Sequence, residues 1–253
     1  MDSKYDQQSH GLYRSEYEHD ACGVGMVANL SGEASHDIVA KGMTILKRLM
    51  HRGATGNDPE TGDGAGLLMR IPHGFFKKIL GNGERGTYPP SEASAEGGSM
   101  RGGNGNFGVA MIFGGEGEEK KIENVIKSEG CEVLGWRDVP TNPDAIGHDA
   151  RSVMPRIRQV FIAAENAKGA KGSGGNGLCD LCVLCGKENP AFERQLYVIR
   201  RQIEKATKDT YVCSCSSRTI VYKGLLLATQ IEKFYPDLSD PDFISPFAIV
   251  HQR

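Results

Sequence analysis

Residues 22–30, Cys-Gly-Val-Gly-Met-Val-Ala-Asn-Leu, form a short apolar run that ends at the turn pair Ser31-Gly32, the pattern of a buried strand. Residues 35–50 switch to a helical period. Ile38, Gly42, Ile45 and Leu49 recur at i, i+4, i+7 and i+11, and Ser35 stands where an N-cap belongs. Residues 57–66 hold four Asp, Asn or Pro residues and three glycines, which predicts a tight loop before a second apolar strand at 67–71. Beyond a short helix at 75–80, the pattern predicts strands at 106–113, 131–139 and 155–163 and a helix at 118–128. A long helix follows, with Phe192, Leu196, Ile199 and Ile203 as its apolar stripe. Strand segments at 211–216 and 219–223, a helix at 225–234 and a last strand at 247–251 complete the pattern. Strands and helices mix without a regular βαβ period, so periodicity alone gives a mixed α and β fold.

Composition narrows the class. A 253-residue chain can bury a core, and one large domain is at least as natural as two. A net charge of -2 gives no electrostatic case for nucleic acid or an anionic membrane. No run approaches the ~20 apolar residues that span a bilayer. The first 21 residues are polar, lack the apolar stretch of a secretory signal, and are too acidic for a transit peptide, so the chain reads as cytoplasmic. Seven cysteines, an odd number without a secretion signal, imply reduced thiols rather than a disulfide framework. Glycine is concentrated near 81–105 and 165–190, which read as loop insertions.

Candidate chemistry is sparse. On the nonapeptide alone Cys22 is one more small buried hydrophobe. Gly62-x-Gly64-x-Gly66 lacks the Lys-Ser/Thr of a phosphate loop, and Asp63 would repel an anion. Cys179-x-x-Cys182-x-x-Cys185, with Cys213 or Cys215 as a fourth ligand, has spacing suited to zinc or an iron-sulfur cluster; its place in a Gly/Lys/Ala insertion favours unpaired surface thiols, with a non-catalytic metal-binding module as the alternative. For a thiol nucleophile, His51 and His148 are available as bases, and nothing in their spacing selects either.

Order and spacing change this picture. Cys22-Gly-x-Gly, His51-Arg52-Gly53-Ala54 and Thr61-Gly-Asp-Gly-Ala-Gly closely resemble the start of the glutaminase domain of glutamate synthase large subunits, which are class II, N-terminal-nucleophile amidotransferases. The stretches at 135–140, 192–200 and 216–224 are similar to the same family and favour it over other class II amidotransferases. The resemblance implies an α+β fold, a four-layer αββα sandwich of two mainly antiparallel sheets, incomplete at the C-terminus. It also implies a leader at 1–21 that is removed at Ala21-Cys22, leaving a partial amidotransferase domain over 22–253.

Cys22 would then supply both nucleophile and base, since a freed α-amine titrates near 7.7–8.0 whereas an ordinary thiol titrates near 8.5. The resemblance assigns Arg253, in Val250-His251-Gln252-Arg253, to the α-carboxylate of glutamine, a role suited to a planar bidentate donor. It places Arg52 near the nucleophile in a supporting role, where helix capping is the alternative.

No metal or cofactor is expected in this segment. FMN and an iron-sulfur cluster would belong to the synthase portion, as would a small electron-donating subunit, and the remaining synthase domains would be partners. The family's Asn-Gly oxyanion hole is also expected outside this stretch, so these residues alone should be nearly inactive. The insertion at 165–190 is expected to be dispensable.

Overall fold

The structure is a computed structural model that describes residues 22–81, 107–164 and 190–253. Strands β1 (Gly23–Ala28), β2 (Ala65–Arg70), β7 (Thr219–Gly224) and β8 (Phe247–Gln252) form one sheet in the order β1-β8-β2-β7. Strands β3 (Phe107–Gly114), β4 (Cys131–Asp138), β5 (Ile157–Ala164) and β6 (Thr210–Ser216) form another in the order β4-β5-β3-β6. Every pairing within them is antiparallel. Helix α1 (His36–Arg48) packs on the first sheet, and α3 (Glu119–Ser128) and α5 (Pro190–Ala206) pack on the second. Two antiparallel sheets bordered by helices make the α+β class of the N-terminal-nucleophile type that the resemblance implies.

The two sheets use their strands differently. In the second sheet both faces are covered. Ala110, Ile112, Val160 and Ile162 meet Ile122 and Ile126 of α3 and Leu196 and Ile199 of α5, while Val109, Met111 and Phe161 enter the larger core. Strands buried on both faces read as continuous apolar runs, as β3 and β5 do. In the first sheet the register places Val27, Ala248, Val250, Leu67, Met69, Ile220 and Tyr222 on one face, packed or buried in the larger core. On the opposite face Val24 and Met26 are each 66% exposed.

The sheets meet along β6 and β7, whose turn at Ser217-Arg218 passes the chain from one sheet to the other. A buried polar cluster ties them together. Arg137 on β4 donates to both carboxylate oxygens of Asp237, at 2.8 and 2.6 Å, and to Gln159 Oε1 at 2.9 Å. Tyr222 on β7 donates its hydroxyl to Asp237 at 2.9 Å and accepts from Gln159 Nε2 at 3.1 Å. Burial first, and the Asp237 charge second, push the Tyr222 hydroxyl far above its ordinary range, so it remains a donor.

Three local expectations change. The buried face of α1 is Ile38, Val39, Gly42, Met43 and Leu46, while Ile45 and Leu49 are only half-buried, because the helix is covered over a wider arc than one stripe. Ser35 occupies the N-cap position without a side-chain cap bond. Its backbone instead pairs with Ser245 in both directions at 3.2 Å. The helix at 225–234 shrinks to α6 (Ile231–Phe234), because Gln230 takes the Leu227 N–H with its side chain at 2.8 Å and turns the preceding residues. The remaining short helices are α2 (His73–Gly81) and α4 (His148–Ser152). The cysteines at 179, 182 and 185, most of the glycine-rich insertions and the leader lie outside the described residues.

Candidate active site

Cys22 is exposed and lies one residue before β1. Side chains alternate along a strand, so its thiol shares the face of Val24 and Met26, and on β8 that of His251 and Ile249. The ladder pairs Gly23 with Gln252. Cys22 and Arg253 are the next residues beyond that last pair, so both lie at the same end of the sheet. Nucleophile candidate and carboxylate-anchor candidate thus come together from opposite ends of the described chain.

Arg52 arrives from a third direction. The chain leaves α1 through a 3-10 turn over Met50–Arg52, with the Arg52 N–H donating to Leu49 O at 2.8 Å. This turn lays the Arg52 stem against Gly23: a Cβ on residue 23 would lie 3.0 Å from Arg52 Cβ and 3.2 Å from its Cγ. A glycine beside the cysteine is therefore what lets the Arg52 stem pack against β1. Gly23→Val should displace this corner and lower kcat/KM for glutamine by about 10²-fold, the scale of a 1 Å misplacement, with the unfolding midpoint measured alongside to separate misplacement from unfolding.

The backbone of Arg253 is fixed on both sides by the loop after Gly53. Its N–H donates to Gly64 O at 2.9 Å, and its carbonyl accepts from Ala54 N–H at 3.1 Å. The loop closes on itself through Asp63 N–H to Ala54 O at 3.0 Å and a bridge between Thr55 and Gly62. Arg253 also lines a cavity of about 670 Å³, together with Asp63, Lys223 and His251 and with the apolar Leu68, Phe113 and Ile157. A few charged groups among largely apolar walls suit a small amphiphilic substrate.

Cys213 is buried and Cys215 half-buried, whereas Cys22 is exposed. Burial pushes Cys213 up to about 11 and Cys215 up to about 12, so both are protonated at neutral pH. Among the described residues no group of three or more His, Cys, Asp or Glu side chains is placed to hold a metal. His51 Nδ1 lies 3.1 Å from Arg48 O, and His148 Nδ1 lies 3.3 Å from Asp149 Oδ1, so each candidate base is partnered elsewhere. Sequence reasoning missed His251 and Lys223 as neighbours of the site. Only the strand alternation over 247–253 could have flagged His251, as the residue sharing a face with Arg253.

Comparison with known proteins decides the family. The model of the glutamine amidotransferases class-II matches residues 22–253, starting at Cys22 itself. The chain belongs to the class-II glutamine amidotransferases. It is 44% identical over 256 residues to the glutamate synthase [NADPH] large chain of Bacillus subtilis (strain 168), covering 97% of this chain and 15% of that protein. It is 38% identical over 256 residues to the glutamate synthase [NADPH] large chain of Azospirillum brasilense, covering 95% of this chain and 14% of that protein. It is 38% identical over 250 residues to the chloroplastic ferredoxin-dependent glutamate synthase of Oryza sativa subsp. japonica, covering 93% and 13% respectively. The chain thus spans about one-seventh of the length of these relatives. Among the described residues no helix is long and apolar enough to cross a membrane.

Proposed function

We propose that this amidotransferase chain is the glutaminase segment of a glutamate synthase large subunit, and that Cys22, freed at its nitrogen, hydrolyses glutamine through a thioester. The observation that carries the reading is the convergence of Cys22, Arg52 and Arg253 at one end of the first sheet. The match to relatives named as glutamate synthases supports the assignment within the family.

The mechanism follows from these positions. Arg253 forms a bidentate pair with the α-carboxylate of glutamine, which sets the γ-amide over the Cys22 face of the sheet. The α-amine of Cys22 takes the thiol proton, and the sulfur attacks the amide carbon. The amine passes that proton to the departing nitrogen as the C–N bond breaks, so ammonia leaves and a γ-glutamyl thioester remains. Water activated by the same amine then hydrolyses the thioester, giving glutamate and restoring the thiol. Ammonia would be used in the synthase portion for reductive formation of glutamate from 2-oxoglutarate. Arg52, exposed and with its stem against Gly23, would add positive charge at this end of the sheet.

The scheme requires removal of residues 1–21, because an amide nitrogen at Cys22 is no base. Intact-mass and amino-terminal analysis of glutaminase-active protein should show Cys22 as the first residue. Active protein that retains Met1 would overturn the mechanism.

A further inference from the structure

The polar groups that hold Arg253 extend well beyond its own neighbours. The loop between Ala54 and Gly64, which bonds the Arg253 backbone from both sides, is itself docked at its tip. Asp58 Oδ1 accepts from Glu60 N–H at 2.9 Å, and Asp58 Oδ2 accepts from the Thr61 hydroxyl at 2.7 Å and from Asp149 N–H at 3.1 Å. The Thr61 oxygen accepts in turn from Ala150 N–H at 3.2 Å. Asp149 and Ala150 lie in the first turn of the short helix α4, and Ala150 lines the cavity. On the other flank Gln230 Nε2 donates to Glu60 O at 2.7 Å.

The fit at the tip is close. A Cβ on Gly147 would lie 2.5 Å from both Asp58 Oδ2 and Thr61 Oγ1, so only glycine lets α4 reach the loop. The Thr61 hydroxyl, followed by the N–H groups of Glu60 and Asp149, holds the Asp58 carboxyl below its usual range, so it is an ionised acceptor at working pH. The loop is therefore pinned at both ends: its tip on α4, its base on the backbone of Arg253.

We propose that Asp58 and Thr61 are positioning residues for substrate recognition: through the 54–64 loop they fix the backbone of Arg253 and so aim its guanidinium at the α-carboxylate of glutamine. This rests on the assignment of Arg253 to that carboxylate. Thr61 matters through one atom, since its hydroxyl is both donor to Asp58 and acceptor from α4. Removing it takes one of two donors from Asp58 Oδ2, which keeps only the Asp149 N–H, and takes the Thr61 acceptor from Ala150 N–H, so the tip is held less firmly. The expected consequence is selective. Affinity for a carboxylate-bearing substrate falls while the thiol chemistry at Cys22 continues.

The test uses the complete polypeptide and an electrophilic glutamine analogue that alkylates Cys22, with the concentration for half-maximal inactivation and the limiting rate measured separately. Thr61→Val keeps the side-chain shape and should raise the half-maximal concentration roughly five- to tenfold, the scale of one or two lost hydrogen bonds, with the limiting rate within about twofold. Thr61→Ser restores the hydroxyl and should recover most of the loss. In an Arg253→Ala background the same Thr61→Val change should have no further effect on the half-maximal concentration, because its target is gone. Equal loss in both backgrounds, a fall in the limiting rate alone, or no change in Thr61→Val while Arg253→Ala binds weakly would each overturn the proposal. An Arg253→Ala variant that binds the analogue normally would instead overturn the anchor assignment on which it rests.

Discussion

Cys22→Ser in the complete protein is expected to lose glutamine hydrolysis by several orders of magnitude while retaining glutamine binding. A serine hydroxyl is far harder to ionise than a thiol near 8.5, and the tethered amine is too weak a base to compensate. Arg253, the proposed anchor of the α-carboxylate, is untouched by the change. Ammonia-dependent glutamate formation needs no thiol in this scheme and should persist, which separates loss of the nucleophile from loss of the fold. Steady-state rates with glutamine and with ammonia, measured on one preparation, check both halves. Glutamine-dependent activity within tenfold of the parent would mean that another residue attacks the amide.

The second large effect is on stability and lies away from the thiol. Arg137→Ala should destabilise the chain by about 3–5 kcal/mol, because it leaves the Asp237 carboxylate buried without its cation. The side chains of Arg137 and Asp237 are only 7% and 5% exposed, so water cannot replace the lost partner without opening the core. Two more groups are disturbed, since Gln159 loses the donor to its carbonyl and Tyr222 donates to a carboxylate that has lost its cation. The pair joins β4 and the segment before β8, and Tyr222 brings in β7. Loss of the cluster therefore loosens the contact between sheets as well as one strand. Urea unfolding followed by fluorescence of Trp136, the one tryptophan of this chain and the immediate neighbour of Arg137, reads the change directly. By contrast, Arg156→Ala breaks a bidentate pair with Asp138 whose side chains are 44% and 43% exposed, and should cost less than about 1 kcal/mol.

The contrast between those two arginines shows where the sequence is legible. Apolar periodicity carries the strands and the α5 stripe, since Phe192, Leu196, Ile199 and Ile203 are all buried as their spacing predicts. It cannot tell Arg137 from Arg156. Both are charged residues in or beside a strand, and only the packing of Asp237, distant in sequence, makes the first a core residue. Local side-chain bonds were similarly hidden at Gln230, which interrupts an otherwise plausible helix, and at Ser35, whose backbone is taken by Ser245.

The site divides in the same way. Family resemblance, not periodicity, picked out Cys22, Arg52 and Arg253. Their convergence depends on the register of β1 against β8, a fact about strand pairing that spacing along the chain does not contain. Asp58-Pro59-Glu60-Thr61 carried a recognisable turn signal, an Asp accepting the N–H two residues on, and the sequence reading stopped at a tight loop. That the same carboxylate also reaches the backbone of Asp149 follows from the fold.

Mass mapping of the protein after treatment with the electrophilic glutamine analogue tests the central claim most directly. The account predicts one adduct, on the sulfur of Cys22, in a peptide whose first residue is Cys22, and no adduct in the Cys22→Ser variant. An adduct on another residue, or on Cys22 still joined to Ala21 in protein that turns over glutamine, would contradict it.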